Sequence, residues 1–376
     1  MDHINTIVDS LELHDDSNPC PSYKGLQTDW LESFDAATNT LIPWDEIEDP
    51  EISKFNKYSE LVGDLFCIFM DKAQNKRWLE LTPEDRLEHV NHVLSLPQVP
   101  QRTPEWYAQS KKVLTASEFS GILGSDRAVD ALVLQKIAEP VEGSTNRLAC
   151  LTGEMSPFDW GIRFEPVVKQ ILIAMWGAEI MEVGRLVHPT DAHLAASPDG
   201  IIQKSSERER IGRLVEIKCP VRREINGKIP FEYWCQMQIQ MEVADIDECD
   251  YVEVKLASQY KDSKYQDPVE GTLGYSFNGT VWIFQSPETG ELKYAYTSIE
   301  KTDWELIGWN CVETVPWYLD KYFTETVQRD RAWFASTEVA RTSFWNKVEG
   351  ARAGTYTPSQ PVKRVAPVNV CKITDD

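Results

Sequence analysis

Three ionisable side chains stand at the edges of two apolar segments within residues 197–220. Asp199 lies in a Ser-Pro-Asp-Gly turn, and Glu216 and Lys218 lie in a Leu-Val-Glu-Ile-Lys run. Side chains alternate between the two faces of a β-strand. The run therefore predicts a strand on which Glu216 and Lys218 point the same way while their apolar neighbours point into a core. The turn carboxylate, at the end of a neighbouring strand, can join them.

This combination suits a hard divalent cation. Mg2+ takes oxygen ligands and keeps water in its coordination shell. Asp199 and Glu216, with a backbone carbonyl between them, can supply such oxygens at a sheet edge. Lys218 beside the metal can orient or deprotonate an attacking water and help to neutralise the charge that develops on a phosphate. The residues therefore predict metal-assisted hydrolysis.

Further candidates fall on predicted helices. The segment "GIRFEPVVKQILIAMWG" has a helical apolar stripe with Glu165 at its edge, so Pro166 is expected in the first turn or at a kink. The segment "LTASEFSGILG" begins with a capping-box pattern at Thr115, which puts Ser117 in the first turn of a helix. A third predicted helix, "YWCQMQIQMEV", carries Gln236.

Each of these features has a plain structural alternative. Ser-Pro-Asp-Gly alone is usually just a turn, and Glu-x-Lys on a strand is usually a solvated face. Glu165 alone would be a boundary residue of an amphipathic helix, and Thr115 and Ser117 could merely cap one. The order and spacing of the whole set favour a site: a helix Glu, a turn Asp, a strand Glu-x-Lys, and then a glutamine-bearing helix.

The same order resembles a known family. The motifs are "WYAQSKKVLTAS", "WGIRFEP", "AASPDG", "LVEIKCP" and "YWCQMQIQM", within residues 104–256. They resemble the lambda-type alkaline exonucleases, the YqaJ-like viral recombinase branch of the PD-(D/E)xK nucleases. The resemblance implies an α/β fold (of the α+β type) with a central mixed sheet flanked by helices. It also implies two Mg2+ ions, which Mn2+ can replace, and digestion of linear double-stranded DNA from free 5′ ends.

The resemblance assigns roles to the catalytic candidates position by position. Asp199 and Glu216 are similar to the central metal ligands of the family, with the backbone carbonyl of Ile217 between them. Lys218 is similar to the catalytic lysine. Glu165 is similar to the helix carboxylate that serves the second metal or its water shell.

A pocket for the 5′-phosphate is implied in the same way. Ser117 and Gln236 match residues of that pocket, but the chain has Ser110 where the phage-type enzymes have an arginine. Lys111 and Lys112 stand next to this position and could supply the charge, although a lysine lacks the bidentate fork of an arginine. A second departure from the family is the charged insertion at residues 203–213, between the two catalytic strands.

Charge and composition divide the chain into three predicted parts. Residues 1–100 hold 7 Lys+Arg against 20 Asp+Glu, a balance of −13 within a total of −22, and form an acidic, partly helical extension. Residues 101–350 form the predicted nuclease domain, of which 301–350 is expected to be helical, and 351–376 a flexible tail. The extension is expected to pack beside the nuclease core or bind a protein, and not to contact DNA.

The sequence excludes several other classes of protein and leaves two alternative functions open. The start is acidic and the longest apolar run has 11 residues, which predicts an intracellular protein without a membrane span. The eight cysteines show no metal-binding spacing, and no phosphate-binding loop of an ATPase occurs. A structure-selective or nicking endonuclease on the same fold stays open, as does a non-catalytic DNA-binding relic. The family resemblance adds a ring-shaped homo-trimer and a single-strand-annealing recombination protein as partners.

Overall fold

The computed structural model describes residues 78, 80–138, 148–261, 265–297 and 303–359. The chain divides into two compact units, residues 1–67 and 68–376, and every described residue belongs to the second. The described α-helices are α1 (Pro83–Ser95), α2 (Pro104–Gln109), α3 (Asp126–Ile137), α4 (Pro157–Trp176), α5 (Phe231–Ala244), α6 (Leu273–Ser276), α7 (Arg331–Ser336) and α8 (Glu338–Arg352). In this part of the chain, no helix combines the length and apolar character that a membrane span requires.

The strands form two sheets. They are β1 (Leu114–Thr115), β2 (Glu179–Met181), β3 (Leu186–Val187), β4 (Leu194–Ala196), β5 (Gly200–Lys204), β6 (Leu214–Lys218), β7 (Glu248–Ser258), β8 (Asn278–Gln285), β9 (Leu292–Tyr296) and β10 (Asn310–Gln328). The main sheet has the order β2-β5-β6-β7-β10-β8-β9, and a small sheet has the order β1-β4-β3. In the main sheet β6 and β7 are parallel and the other neighbours antiparallel.

Helices cover both faces of the main sheet at β6. Val215 and Ile217 belong to a buried cluster with Phe164 of α4. Leu214 belongs to another buried cluster with Met237 of α5. Because side chains alternate along a strand, the two ionisable residues of β6 lie on the α5 side. The predicted α/β fold with a central mixed sheet flanked by helices is confirmed.

Capping residues fix both ends of helix α4. Ser156 caps its first turn, where its Oγ accepts a hydrogen bond from the backbone N–H of Asp159 at 3.2 Å, and Pro157 follows the cap. Gly177 ends the helix with a left-handed φ of 53°. Because the helix begins at Pro157, Pro166 lies in its interior, and the expected position in the first turn is wrong.

The end of the acidic extension packs on the sheet. Helix α1 begins after its cap Thr82, and its Val90 and Val93 lie in the same buried cluster as Met237 of α5. Trp78 and Arg86 both donate hydrogen bonds to Glu248 of β7, at 3.3 and 3.0 Å. Residues 1–77 lie outside the described residues, and the domain boundary after residue 100 stays a prediction.

The C-terminal part differs from the prediction. Residues 310–328 form the long strand β10, so the expectation of helix throughout 301–350 is wrong there. Val315, Trp317 and Leu319 are buried at every second position, which is the strand period and not the helical one. At the start of the predicted tail, Ser359 donates its backbone N–H to Asp130 at 3.0 Å. Residues 360–376 lie outside the described residues.

Candidate active site

The turn that carries Asp199 joins β4 to β5. Its Oδ2 accepts a hydrogen bond from the backbone N–H of Ile217 at 2.8 Å, which ties the turn to β6. The next residue is Gly200, where a Cβ atom would clash with Cγ2 of Ile180 on β2. Gly200 is therefore required by local packing as well as by the turn, and the turn places the Asp199 carboxylate beside β6.

Glu216 and Lys218 contact each other on the α5 side of β6. The Glu216 side chain is fully buried and forms an ion pair with the Lys218 ammonium group. Gln240 of α5 donates its Nε2 to Glu216 at 2.7 Å, and Lys218 donates to Oε1 of Gln236 at 3.1 Å. The ammonium nitrogen also lies 4.5 Å from the ring centroid of Tyr233. Helix α5 thus holds both ionisable residues from one side.

Glu165 projects from α4 with two cationic partners. Lys169, one helical turn later, lies 3.0 Å from its carboxylate, and Arg102 forms a second ion pair with it. Burial alone would raise the pKa of Glu165, but Lys169 and Arg102 hold it below its usual value. Glu165 is therefore charged at neutral pH. Arg102 has a left-handed φ of 64°, which is uncommon outside glycine.

The charges of Glu216 and Glu165 both act on Asp199. Burial of the Asp199 carboxyl, followed by the charges of Glu216 and Glu165, raises its pKa well above the usual value. Burial would lower the pKa of Lys218, but Glu216 and Asp199 together hold it above its usual value. The structure thus brings together the predicted Glu165, Asp199, Glu216 and Lys218, and a further positive charge beside Asp199 would relieve the repulsion.

The oxygen atoms of these residues are of the type that a hard divalent cation binds. Carboxylate oxygens of Asp199, Glu216 and Glu165 and the backbone carbonyl of Ile217 are the oxygen ligands that Mg2+ prefers. In the present side-chain arrangement, no three His, Cys, Asp or Glu residues of the described chain converge as a metal cluster. Glu216 and Glu165 are instead paired with the ammonium and guanidinium groups named above, which an ion would have to replace.

The predicted phosphate pocket is only partly assembled. Ser117 is exposed in the first turn of the 3-10 helix Ala116–Leu123, and its Oγ lies 3.3 Å from Oγ1 of Thr115. Lys111 donates its Nζ to a main-chain carbonyl of α3 at 2.7 Å, while Lys112 is exposed. Gln236 contacts Lys218. Helix α5 packs against the 3-10 helix, so the serine and the glutamine belong to adjoining elements.

Sequence reasoning missed several partners of the site. Gln240 stands one helical turn after Gln236, so both fall on the same face of α5, and this spacing could have revealed it. Lys169 stands in the same relation to Glu165. Arg102 carries no such signal, because its contact with Glu165 joins segments that are distant in the chain.

The fold and the candidate site together describe one class of protein. It is an α/β domain in which a mixed sheet carries Asp199, Glu216 and Lys218, and a neighbouring helix carries the carboxylate of Glu165. Residues 105–247 match the family model described as the YqaJ-like viral recombinase domain. The match covers less than half of the chain, and within that part it confirms the resemblance of the motifs.

Individual relatives are more distant. An uncharacterised protein of Acanthamoeba polyphaga mimivirus is 29% identical over 184 residues, which cover 46% of this chain and 32% of that protein. The chain thus spans about a third of the length of this relative. An alkaline exonuclease from Laribacter hongkongensis is 21% identical with a TM-score of 0.41, covering 67% of this chain and 95% of that chain. A phage-related exonuclease from Haemophilus somnus is 11% identical with a TM-score of 0.38, covering 64% and 96%.

Proposed function

We propose that this protein is a Mg2+-dependent 5′→3′ exonuclease that degrades linear double-stranded DNA and exposes 3′ single strands for recombination or repair. The observation that carries the proposal is the placement of Asp199, Glu216 and Lys218 together at β6, with Glu165 near enough for its charge to raise the pKa of Asp199. The match to a viral recombinase domain supports recombination as the setting. The polarity rests on the resemblance of the ordered motifs.

Each residue of the site has a distinct task in this proposal. Asp199 and Glu216, with the Ile217 carbonyl, would hold the metal, and Glu165 would serve a second ion or its water shell. Bound Mg2+ would lower the pKa of a water nucleophile and neutralise charge on the phosphate. Lys218 already lies beside Glu216, where its positive charge can stabilise the transition state.

The substrate and the direction can be tested together. A linear duplex labelled on one 5′ end is digested beside a covalently closed circle, with Mg2+, with Mn2+ and with EDTA. We expect early release of the 5′ label as mononucleotide, an intact circle, and no reaction in EDTA. Cleavage of the circle would instead identify an endonuclease on the same fold. No cleavage of any substrate with either metal would contradict nuclease function altogether.

The assembly stays a separate prediction. The resemblance implies a ring-shaped homo-trimer and a single-strand-annealing recombination protein as partner. Sedimentation of the purified chain, alone and with linear duplex, measures the first directly. A monomer under both conditions would contradict the trimer without affecting the proposed chemistry.

A further inference from the structure

A cavity with aromatic walls lies beside an edge strand of the main sheet. Strand β9 is the last strand of that sheet, and a cavity of about 280 Å³, open to solvent, lies along it. Helix α4, the hairpin of β8 and β9, and the segment before β10 all contribute to its lining, which includes Gln170, Phe284, Lys293, Tyr294, Tyr296 and Trp304. This volume is close to the lower end of the usual range for small-molecule sites, about 300–1,000 Å³.

Hydrogen bonds hold two of the aromatic walls in place. Tyr294 donates its hydroxyl to the Cys150 carbonyl oxygen at 3.0 Å, and the same hydroxyl accepts the Cys150 N–H at 2.8 Å. Trp304 donates its indole N–H to the carbonyl oxygen of Tyr296 at 2.5 Å, which fixes the indole against the edge of β9. Rings that are already fixed lose little conformational entropy when a ligand stacks on them. These walls are therefore prepared to bind a flat ligand.

The polar groups of the cavity indicate the chemistry of that ligand. The side-chain amide of Gln170 can both donate and accept hydrogen bonds, as the edge of a nucleobase does. The exposed ammonium group of Lys293 lies 4.3 Å from the ring centroid of Trp309. Glu291 is 4.0 Å from this ammonium group and is also exposed, so the pair is weak and leaves the charge able to attract a phosphate. Aromatic rings beside a positive charge are the combination with which proteins bind single-stranded nucleic acid.

The cavity adjoins the candidate active site. Gln170 follows Glu165 on α4 by five residues, which is an axial rise of about 7.5 Å. Burial of the Tyr296 hydroxyl, followed by the neighbouring Tyr294 and the charge of Glu165, raises the pKa of Tyr296. Glu165 is therefore close enough for its charge to act on a wall of the cavity. A DNA strand that occupies the site is within reach of the cavity.

We infer that this cavity binds an unpaired nucleobase of single-stranded DNA beside the active site. The inference rests on the proposed function, because an enzyme that degrades one strand of a duplex leaves unpaired bases next to its site. In a duplex, neighbouring bases cover both faces of each base, so a stacking cavity favours the single strand. Every base has an aromatic face, and the cavity is therefore expected to show little sequence preference.

Binding without turnover tests this assignment. Fluorescence anisotropy in EDTA compares a single-stranded oligothymidylate with a strand of equal length made of abasic sites, which keeps the phosphates and lacks the bases. Trp304→Leu should weaken binding of the base-bearing strand roughly fivefold or more and leave binding of the abasic strand unchanged. Trp304→Phe, which keeps a ring, should retain most of the affinity. Ala295→Leu, which narrows the cavity without changing any charge, should act like Trp304→Leu.

Two further variants separate stacking from other effects. Tyr275 is an exposed aromatic residue of α6 that does not line the cavity, so Tyr275→Leu should bind both strands like the wild type. Lys293→Gln should weaken binding of both strands by the same factor, because it removes a contact to phosphate and not to a base. Thermal unfolding shows which variants are folded.

The wild type offers a measurement that does not depend on the folding of a variant. An oligonucleotide that carries 5-iodouracil is irradiated with the protein in EDTA, and the attached residues are identified by mass spectrometry. We expect attachment to Tyr294, Tyr296 or Trp304. Attachment only to residues outside the cavity would overturn the inference.

The binding results decide the inference separately from the proposed nuclease function. Folded Trp304→Leu and Ala295→Leu variants that keep the wild-type affinity for the base-bearing strand overturn it. Equal losses for the base-bearing and the abasic strand overturn it as well, because they would show that the cavity residues do not contact a base. Since EDTA prevents metal-dependent turnover, a failure to cleave DNA does not enter these results.

Discussion

Two groups of buried acids lie on adjacent strands of the main sheet and differ in how they are compensated. Glu248 and Asp250 stand near the start of β7, while Glu216 and the turn residue Asp199 stand at β6. In the β7 pair, Asp250 accepts from Arg210 at 2.6 Å, and Glu248 accepts from several donors. Asp199 accepts a single backbone N–H among the described contacts.

The pKa values of Glu248 and Asp199 are shifted in opposite directions. Burial would raise the pKa of Glu248, but Gln328, Arg213 and Arg86 together hold it below the usual value. For Asp199, burial and two neighbouring carboxylates all act upward. Compensated acids strengthen a fold, whereas under-compensated acids in one place are characteristic of functional sites. The comparison therefore separates a group that stabilises the fold at β7 from the candidate site at β6.

The largest expected effect is on catalysis at β6. Asp199→Asn, Glu216→Gln and Lys218→Met should each reduce DNA cleavage by about a hundredfold or more, because loss of a ligand or charge stabiliser costs several kcal/mol of barrier. Asp199→Asn should also melt at the same temperature as the wild type or above it, since it removes a repelled charge and keeps an acceptor for the Ile217 N–H. Initial rates and thermal unfolding measure the two effects.

An inactive variant is informative only when its fold is intact. Lys204→Ala, which breaks an exposed pair with Glu179, serves as the matched surface control and should cleave at the wild-type rate. Wild-type cleavage by any one of the three site variants would remove that residue from the mechanism. A large fall in the melting temperature of Asp199→Asn would contradict the contrast between the two acid groups.

The next effect is on stability at β7. Glu248→Gln should lower the free energy of unfolding by about 3–5 kcal/mol, because it leaves the buried Arg86 without its carboxylate and removes one of the two carboxylates that pair with Arg213. The folded fraction should keep its cleavage rate. Urea unfolding, followed by fluorescence, gives the free energy, and single-turnover assays below the transition give the rate.

The same region offers a control. Glu84 pairs with Arg208 at 2.9 Å, but both side chains are exposed. Glu84→Gln should therefore change the free energy of unfolding by less than about 1 kcal/mol. Equal losses in Glu84→Gln and Glu248→Gln would mean that burial does not set the strength of these ion pairs.

A smaller effect is expected where α5 supports the site. Gln240→Met removes the hydrogen bond to Glu216 and should slow cleavage about 10–100-fold without abolishing it. Gln238 lies on the same helix but contacts Gln328 and Asp330 instead. Gln238→Met should lower the melting temperature and leave the rate per folded molecule unchanged. Equal rate losses in both variants would show that helix stability, and not the contact with Glu216, is responsible.

The sequence predicts the local geometry of the site well. The alternation along β6 and the turn at Asp199 are short-range features, so the side-chain directions follow from spacing alone. The strand β10 was missed, although Val315, Trp317 and Leu319 are buried at every second position. The spacing of these apolar residues predicts a strand, and the amino-acid composition of the segment does not.

Long-range pairing could not be predicted from the sequence. The insertion at 203–213 showed only surplus charge, yet its Arg210 and Arg213 reach Asp250 on β7. The same holds for Arg102, which contacts Glu165 across the fold. Such contacts depend on which strands become neighbours, and a single sequence does not contain that information.

The smallest expected effect concerns the acidic N-terminal region. The helix α1 packs on the sheet through Val90 and Val93, so deleting all of 1–100 would damage the hydrophobic core. Deleting residues 1–67 avoids this, because they form a unit of their own. They hold 3 Lys+Arg against 15 Asp+Glu, a balance of −12, which repels a polyanion.

We expect this deletion to leave the cleavage rate at saturating DNA unchanged and to tighten DNA binding a fewfold at low salt. The gain should fade as ionic strength rises, because the screening length falls to about 10 Å at 0.1 M salt. Titrations of duplex at 20 and 200 mM salt measure the difference. A deletion variant that melts like the wild type but binds DNA more weakly at both salt concentrations would show that these acidic residues contact the duplex or organise its binding surface. In that case the contrast between a catalytic core and a DNA-free extension would be wrong, while the distinction between the two acid groups on the sheet would remain.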